Sequence, residues 1–345
     1  MPPPAVSFTP LVIPVFIAHQ GCPHCCLFCN QHSITGRDNP GNSAADVAAI
    51  IDTWLARPRR QPARPVQVAF YGGSFTGLAR DRQAELLAAV APYLARGEVD
   101  AIRLSTRPDY VDADTALFLR DRGVAVVELG VQSLDDAVLA ASRRGHSAAQ
   151  VVTAFEHLRA AGLTVGGQLM VGLPGESTVS ALASGRALAR LAPDFVRIYP
   201  ALVIRNSALA HRYAAGHYRP LSLLKAVAVT ARLKTIFDRH RIPVVRMGLQ
   251  PADSLTRDLV AGPFHPAFGE LVLSRLFFKR VRSLLASLPP GVPRALAVAP
   301  ADQSILRGPR NLSMQRLAAL GLAERLELVF DPAQPRHAVR LVETL

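Results

Sequence analysis

Between Leu11 and Pro200 the chain alternates two hydrophobic rhythms. Short apolar runs rich in Val, Ile and Phe each lead into a polar or Gly-containing loop, then into an Ala/Leu/Arg stretch with apolar positions at helical spacing. The runs predict strands at 11–18, 66–71, 101–105, 124–129, 164–171 and 195–199. The stretches between them predict helices at 43–56, 80–95, 113–122, 147–161 and 178–191. Strands alternating with helices of this length build a parallel sheet with right-handed crossovers. Six such units are too few to close an eight-fold barrel and suit an open partial barrel, an α/β fold of (β/α)6 type.

From about Leu221 the pattern changes. A helix at 221–240 leads to a strand at 243–247 and a helical stretch at 267–288, after which Pro289-Pro290 reads as a linker or turn. The remainder reads as a strand (295–298), a short helix, a basic turn, a helix (312–320) and two strands (326–330 and 338–342). The organisation expected is a partial-barrel core over 1–220, an extension packing on it over 221–288, and a small α/β domain over 289–345.

Parallel α/β sheets bind ligands at the carboxyl ends of their strands. The unusual residues fall there. The segment 21–36 follows the first strand, Gly72-Gly73-Ser74 the second and Thr106-Arg107-Pro108-Asp109 the third. Gly130-Val131-Gln132-Ser133 follows the fourth, Gly172-Leu173-Pro174-Gly175-Glu176 the fifth and Tyr199-Pro200 the sixth.

Composition narrows the class. Half of the 345 residues are apolar, enough for a sizeable core. No apolar run approaches the roughly 18 residues needed to span a bilayer. The first residues lack both the basic start and the small-residue cleavage pattern of a signal peptide. All four cysteines lie between Cys22 and Cys29, whereas a disulfide framework would spread them. Such crowding points to metal binding in a reducing compartment, so a cytoplasmic protein without membrane association is expected. The net charge of +13 suits a polyanionic partner such as RNA. Yet of 39 basic residues only Lys225, Lys234 and Lys279 are Lys, and Ala and Pro abound; a GC-rich genome would leave the same mark.

Cys22, Cys26 and Cys29 form C-x3-C-x2-C. Three thiolates so spaced can hold three corners of a [4Fe-4S] cube and leave the fourth iron without a protein ligand. The amino and carboxylate groups of S-adenosylmethionine (SAM) can chelate that iron and set the sulfonium beside the cluster. Cys25 offers a second register, and with His24 the loop also contains the ligand types of a structural zinc site. Zinc ribbons pair two distant C-x2-C knuckles, and the sequence has no second one.

The cysteine loop after a first strand resembles the radical SAM superfamily. Further segments resemble the branch containing the Elongator catalytic subunit and oxygen-independent coproporphyrinogen III oxidase. They are 71–76, 105–110, 128–133, Arg144-Gly145-His146, 172–176, 198–200 and His265-Pro266-Ala267-Phe268. The resemblance covers roughly residues 11–285. It implies a radical SAM enzyme that reductively cleaves SAM to a 5′-deoxyadenosyl radical, with flavodoxin or ferredoxin as electron donor. It implies that the Gly72, Gly73 and Ser74 loop receives the SAM amino group. Ser105, Gln132 and Gln168 would meet the ribose, methionine or adenine, and Arg144 the carboxylate, with Arg143 leaving the register open by one. Ser105 departs from an acidic residue and Gln168 from an Asp in the oxidase. Gly172–Gly175 and Glu176 would shape the adenine end. Phe16, His265, Arg246 and Gln250 are further candidates; residue type alone favours core packing for Phe16 and a structural hydrogen bond in a turn for His265.

The order of the last segment is that of a KH-type RNA-binding fold, with Arg307-Gly308-Pro309-Arg310-Asn311 at its turn. The second Gly of a G-x-x-G loop is absent, so the match is degenerate and a plain accessory domain stays open. Three functions follow: a radical SAM enzyme on RNA, tRNA in particular; one on a small molecule or tetrapyrrole; or a non-catalytic, metal-stabilised RNA-binding protein. No acetyltransferase domain follows the core, so full Elongator chemistry is not implied.

Overall fold

The computed structural model describes residues 10–17, 26–30, 42–58, 64–287, 294–324 and 326–342. Six strands follow the predicted runs: β1 (Leu11–Phe16), β2 (Val66–Tyr71), β3 (Ala101–Thr106), β4 (Val124–Gln132), β5 (Thr164–Val171) and β6 (Phe195–Pro200). Five crossover helices lie between them: α1 (Ala44–Leu55), α2 (Arg80–Ala88), α3 (Ala113–Arg120), α4 (Ala148–Ala160) and α5 (Thr178–Arg190). The helix expected over 80–95 breaks before Ala91–Ala95, where Pro92 lacks the N–H that would continue it. Ser43 and Ser147 open α1 and α4 with capping boxes, which satisfy first-turn N–H groups and set where each helix begins.

Past β6 come the short β7 (Val203–Ile204), the helix α6 (Leu223–Arg239), β8 (Val244–Met247) and β9 (Leu259–Ala261), which pairs antiparallel with β7. Here the six-strand expectation falls short by one. Strand β8 joins the main sheet parallel to β6, with Val196 opposite Val244 and Ile198 opposite Met247. The reason lies in α6: its Val229, Leu233 and Phe237 enter the same apolar core as the first five helices, making α6 one more crossover. The sheet is therefore seven-stranded, in the order β1-β2-β3-β4-β5-β6-β8.

The two faces of this sheet differ. Ile13, Val15, Val68, Phe70, Ile102, Leu104, Val127, Leu129, Val165, Val196 and Ile198 form one core with the helices on the convex face. Side chains alternate along a strand, so Tyr71, Arg103, Ser105, Glu128, Gln168 and Arg197 lie on the other face. Curling draws that face together: the Glu128 carboxylate accepts from Tyr71 at 2.8 Å, from Arg103 at 3.2 Å and from Arg197 Nη2 at 3.0 Å. Four strands thus meet at one carboxylate, and the open half-barrel has a polar floor.

The long helix α7 (Phe268–Ala286) leads to the last unit: β10 (Arg294–Val298), α8 (Gln303–Arg307), α9 (Leu312–Ala319), β11 (Leu326–Phe330) and β12 (Val339–Val342). Strand β10 lies centrally, parallel to β11 and antiparallel to β12. Phe277, Val281 and Leu285 of α7 share a separate core with Leu296, Val298, Ile305, Leu306 and Leu317.

Packing across β5 and β6 is tight enough to test. A Cβ added at Gly166 would meet the Phe195 ring at 2.3 Å. Overpacking of this kind costs about 1–3 kcal/mol. Urea unfolding should therefore show Gly166→Ala destabilised by that amount, with most of the loss recovered when Phe195→Leu is added.

Candidate active site

The carboxyl ends of the strands carry the site. Of the expected metal ligands, Cys26 and Cys29 are described; Cys22 lies outside the described residues, as does Cys25. The backbone ties this half of the loop down: Leu27 N–H donates to the Ser142 carbonyl at 3.1 Å, and the Leu27 carbonyl accepts from Leu209 N–H at 2.7 Å. Leu27 and Phe28 supply apolar anchors beneath it.

Cys26 is buried, with 4% of its surface exposed. Its Sγ accepts from Arg144 Nη1 at 3.4 Å and from Arg107 Nη1 at 3.8 Å. Both arginines are buried as well, at 7% and 2% exposure. Arg107 is held as a fork: Nε and Nη2 bond the two carboxylate oxygens of Asp109 at 3.0 and 2.8 Å. Its Nη2 also donates to the Arg144 carbonyl at 2.6 Å. Arg144 Nη2 donates to the Gly130 carbonyl at 2.7 Å, while its Nε is buried with no hydrogen-bond partner among the described residues. Gly130 has to be glycine for this, because a Cβ there would meet Arg144 Nη2 at 2.6 Å. The left-handed backbone at Arg143 (φ 53°) and Gly145 (φ 79°) accompanies a buried Arg144 and an exposed Arg143.

Among the described residues, two guanidinium cations and one carboxylate gather next to the sulfur. An uncompensated buried charge is costly, and an anionic thiolate, the metal-binding form of cysteine, balances it. Donors to sulfur are also among the means by which proteins tune iron–sulfur clusters. The residues present therefore fit a thiolate-bound cluster at Cys26. His146 completes the surroundings. Its Nε2 lies 3.2 Å from the Val131 carbonyl, and burial, with help from Arg144 and Arg107, pushes its pKa down to about 3, so it stays neutral.

The remaining expected contacts divide. Gly72 adopts φ 85° directly after β2, a conformation that glycine takes without strain, and Gly73 follows it. Gln132 ends β4 at φ 64°, a left-handed backbone that is costly for a residue with a Cβ and so concentrates at functional sites. Gln168 Nε2 donates to Gln132 Oε1 at 3.3 Å, which brings these two amides together. Ser105 stands opposite Glu128 in the β3–β4 register, on the concave face. Ser74 turns the other way. It is 1% exposed, its Oγ lies 3.0 Å from Thr106 Oγ1, and it accepts from the Arg107 N–H at 3.3 Å.

Glu176 closes the turn after β5 by accepting from Gly172 N–H at 2.6 Å. His265 Nδ1 accepts from the Ala267 N–H at 3.0 Å, at the start of α7. Arg246 lies beside Arg197 in the β6–β8 register, and Gln250 is exposed. Phe16 ends β1 opposite Tyr71. Sequence reasoning assigned no role to Arg107, Asp109, Glu128 or His146. For Arg107 the available signal was an Arg-Pro-Asp turn directly after a strand. For Glu128 it was a carboxylate inside a buried apolar run.

The sequence profile described as the Radical SAM superfamily matches residues 16–180, and that of the Radical SAM C-terminal domain matches residues 193–277. An uncharacterized protein of Methanocaldococcus jannaschii is 25% identical over 259 residues, 73% of this chain and 78% of that protein. A tRNA uridine(34) acetyltransferase of Methanocaldococcus infernus is 31% identical over 185 residues, 53% of this chain and 34% of the acetyltransferase; the chain thus spans about a third of that relative. The solved structure of the archaeal Methanocaldococcus infernus Elp3 with an N-terminal deletion (1–46) superposes with a TM-score of 0.60 at 22% identity. That match covers 79% of this chain and 64% of the other and is a likeness of fold. Among the described residues no helix is long and apolar enough to cross a membrane.

Burial of the Glu176 carboxyl pushes its pKa from 4.5 up to about 7. The folded state then holds a proton that the unfolded chain has already released, so this group's contribution to stability falls as pH rises from about 4.5 to 7. Urea unfolding across that range should show the decline in the native chain and a flatter profile in Glu176→Gln.

Proposed function

We propose that this chain, which belongs to the radical SAM superfamily of enzymes, binds a [4Fe-4S] cluster through Cys22, Cys26 and Cys29 and SAM at its open iron, and acts on RNA, tRNA in particular. The observation that carries this reading is the convergence of Arg107 and Arg144 on the Cys26 sulfur at the strand ends. The net charge of +13 and the relatives named as tRNA-modifying enzymes support the RNA part.

When bound, the reduced cluster supplies the electron that cleaves the S–C5′ bond of SAM. The chain's own residues bind, orient and exclude water. Arg107, locked by Asp109, keeps positive charge on the thiolate. Arg144 shares that task, and its unpartnered Nε offers a donor for the SAM carboxylate. The Gly72-Gly73 backbone receives the amino group. The Gln132 and Gln168 amides, bonded to each other, keep further donor and acceptor capacity for ribose hydroxyls. Ser105 adds a hydroxyl from the concave face. Ser74 acts from behind, fixing the turn that presents Arg107. An electron-donating protein of the flavodoxin or ferredoxin kind is the reducing partner.

Anaerobic reconstitution tests this. Native protein should take up about four irons and four sulfides per chain and form 5′-deoxyadenosine on reduction with SAM. Cys22→Ala, Cys26→Ala and Cys29→Ala should each lose that product, and Cys25→Ala should keep it; loss in Cys25→Ala would overturn the ligand register. Removing positive charge from the thiolate should also disfavour the reduced cluster. Arg107→Gln should therefore shift the midpoint potential to more negative values in a spectroscopic redox titration, and Arg107→Lys should shift it less.

A further inference from the structure

The last unit of the chain carries a groove that the half-barrel does not use. It runs between the turn joining α8 to α9 and the edge strand β11, with a volume of about 850 Å³. Arg307, Gly308 and Asn311 form its polar wall, Met314 and Leu328 its apolar one, and no carboxylate lines it. Phe330, two residues beyond Leu328 and so on the same face of β11, is exposed at the end of the apolar wall.

The charge around this groove is uneven. Arg336 and Arg340 are paired with Asp302 and Asp331. Arg307 and Arg310 are exposed and form no ion pair among the described residues, which puts two uncompensated cations at the turn; Arg316, farther along α9, stacks on Phe278 instead. The turn is also firmly placed. Gly308 has φ 67°, and a Cβ there would meet Ser313 Oγ at 2.6 Å and Ser274 Oγ at 2.8 Å, so it is pressed against α9 and α7. Arg310 and Asn311 are left-handed as well (φ 51° and 60°), and Asn311 does not cap α9 with its side chain. The first N–H of α9, that of Leu312, donates to the Pro309 carbonyl, and the rest of the first turn, with Met314, borders the groove.

The geometry points to single-stranded RNA as the occupant. Phosphates would lie along Arg307, Arg310 and the N-terminal turn of α9. The bases would lie against Met314, Leu328 and Phe330, where stacking tolerates any sequence. A strand with exposed bases offers an anionic edge and an apolar edge, matching the two walls, whereas a duplex keeps its bases stacked inside. This assignment rests on the RNA reading above and gives it a place: the C-terminal unit grips an unpaired segment while the half-barrel acts on another.

The test uses the full chain and a fluorescent oligouridine of eight nucleotides, with oligoglutamate as the acidic-peptide alternative. The native chain should bind the oligonucleotide with an affinity that falls as salt rises, and should bind oligoglutamate more weakly. Arg307→Gln with Arg310→Gln should weaken RNA binding at least tenfold at about 0.1 M salt. It should also reduce the slope of log K against log salt by about 1.4, two phosphate contacts at about 0.7 each. The charge-keeping pair Arg307→Lys with Arg310→Lys should bind nearly as the native chain does. Arg336→Gln with Arg340→Gln, which also removes two cations from this unit, should leave the slope unchanged. Equal affinity and slope in the Arg307/Arg310 Gln pair, or tighter binding of oligoglutamate, overturns the assignment. Loss of RNA binding in the native chain itself would remove the RNA substrate as well, whereas 5′-deoxyadenosine formation without RNA stands apart from both.

Discussion

Two buried guanidinium groups face one cysteine sulfur, and much of the arrangement at the strand ends serves to keep them there. Arg107 reaches Cys26 because Asp109 and the Arg144 carbonyl hold its fork. Arg144 reaches it from between two left-handed residues, and Gly130 leaves room for it. Ser74, Thr76 and Thr106 form a hydroxyl cluster behind the turn that carries Arg107. Among the described residues one carboxylate, Asp109, stands beside these cations, and an anionic sulfur, as in a metal ligand, would complement them further.

The half-barrel supplies the frame for that contact. Its convex face is an ordinary α/β core, whereas its concave face concentrates polar groups. Glu128 gathers Tyr71, Arg103 and Arg197 from three other strands, and burial followed by the nearby Glu128 charge raises the Tyr71 pKa, so the phenol stays protonated and donates. Hydrogen bonds and ion pairs to this one buried carboxylate tie the strands together from within. The ligand-facing ends of the strands are thereby held from below by ion pairs and from outside by helices.

Much of this was legible in the chain. Strands β1–β6 announce themselves as short apolar runs between helical stretches, and the element order of the last unit follows its turn and apolar signals closely. The seventh strand was recognisable as a strand but not as a member of the sheet: Val244–Met247 is short, and Val245 and Arg246 are not core residues. Its place depends on α6 packing against α5, which no local pattern encodes. Residue type and place near the strand ends made Arg144, Gln132 and Gln168 candidates; the structure brings Arg144 to Cys26 and the two amides to each other. Type and place did not give side-chain direction past the strand end, where the alternation of period two stops, so Ser74 was expected to face the ligand and turns inward instead. Arg107 and Glu128 act through partners distant in sequence. His265 serves the backbone of its own turn.

The central claim is a cube held at three corners, with the vacant iron open to SAM. Electron paramagnetic resonance of the reduced, reconstituted protein, recorded with and without SAM, tests it most directly. The account predicts a [4Fe-4S]+ signal whose shape changes when SAM is added, because SAM becomes a ligand of one iron. A signal indifferent to SAM, or an EPR-silent protein carrying one zinc per chain, would contradict it.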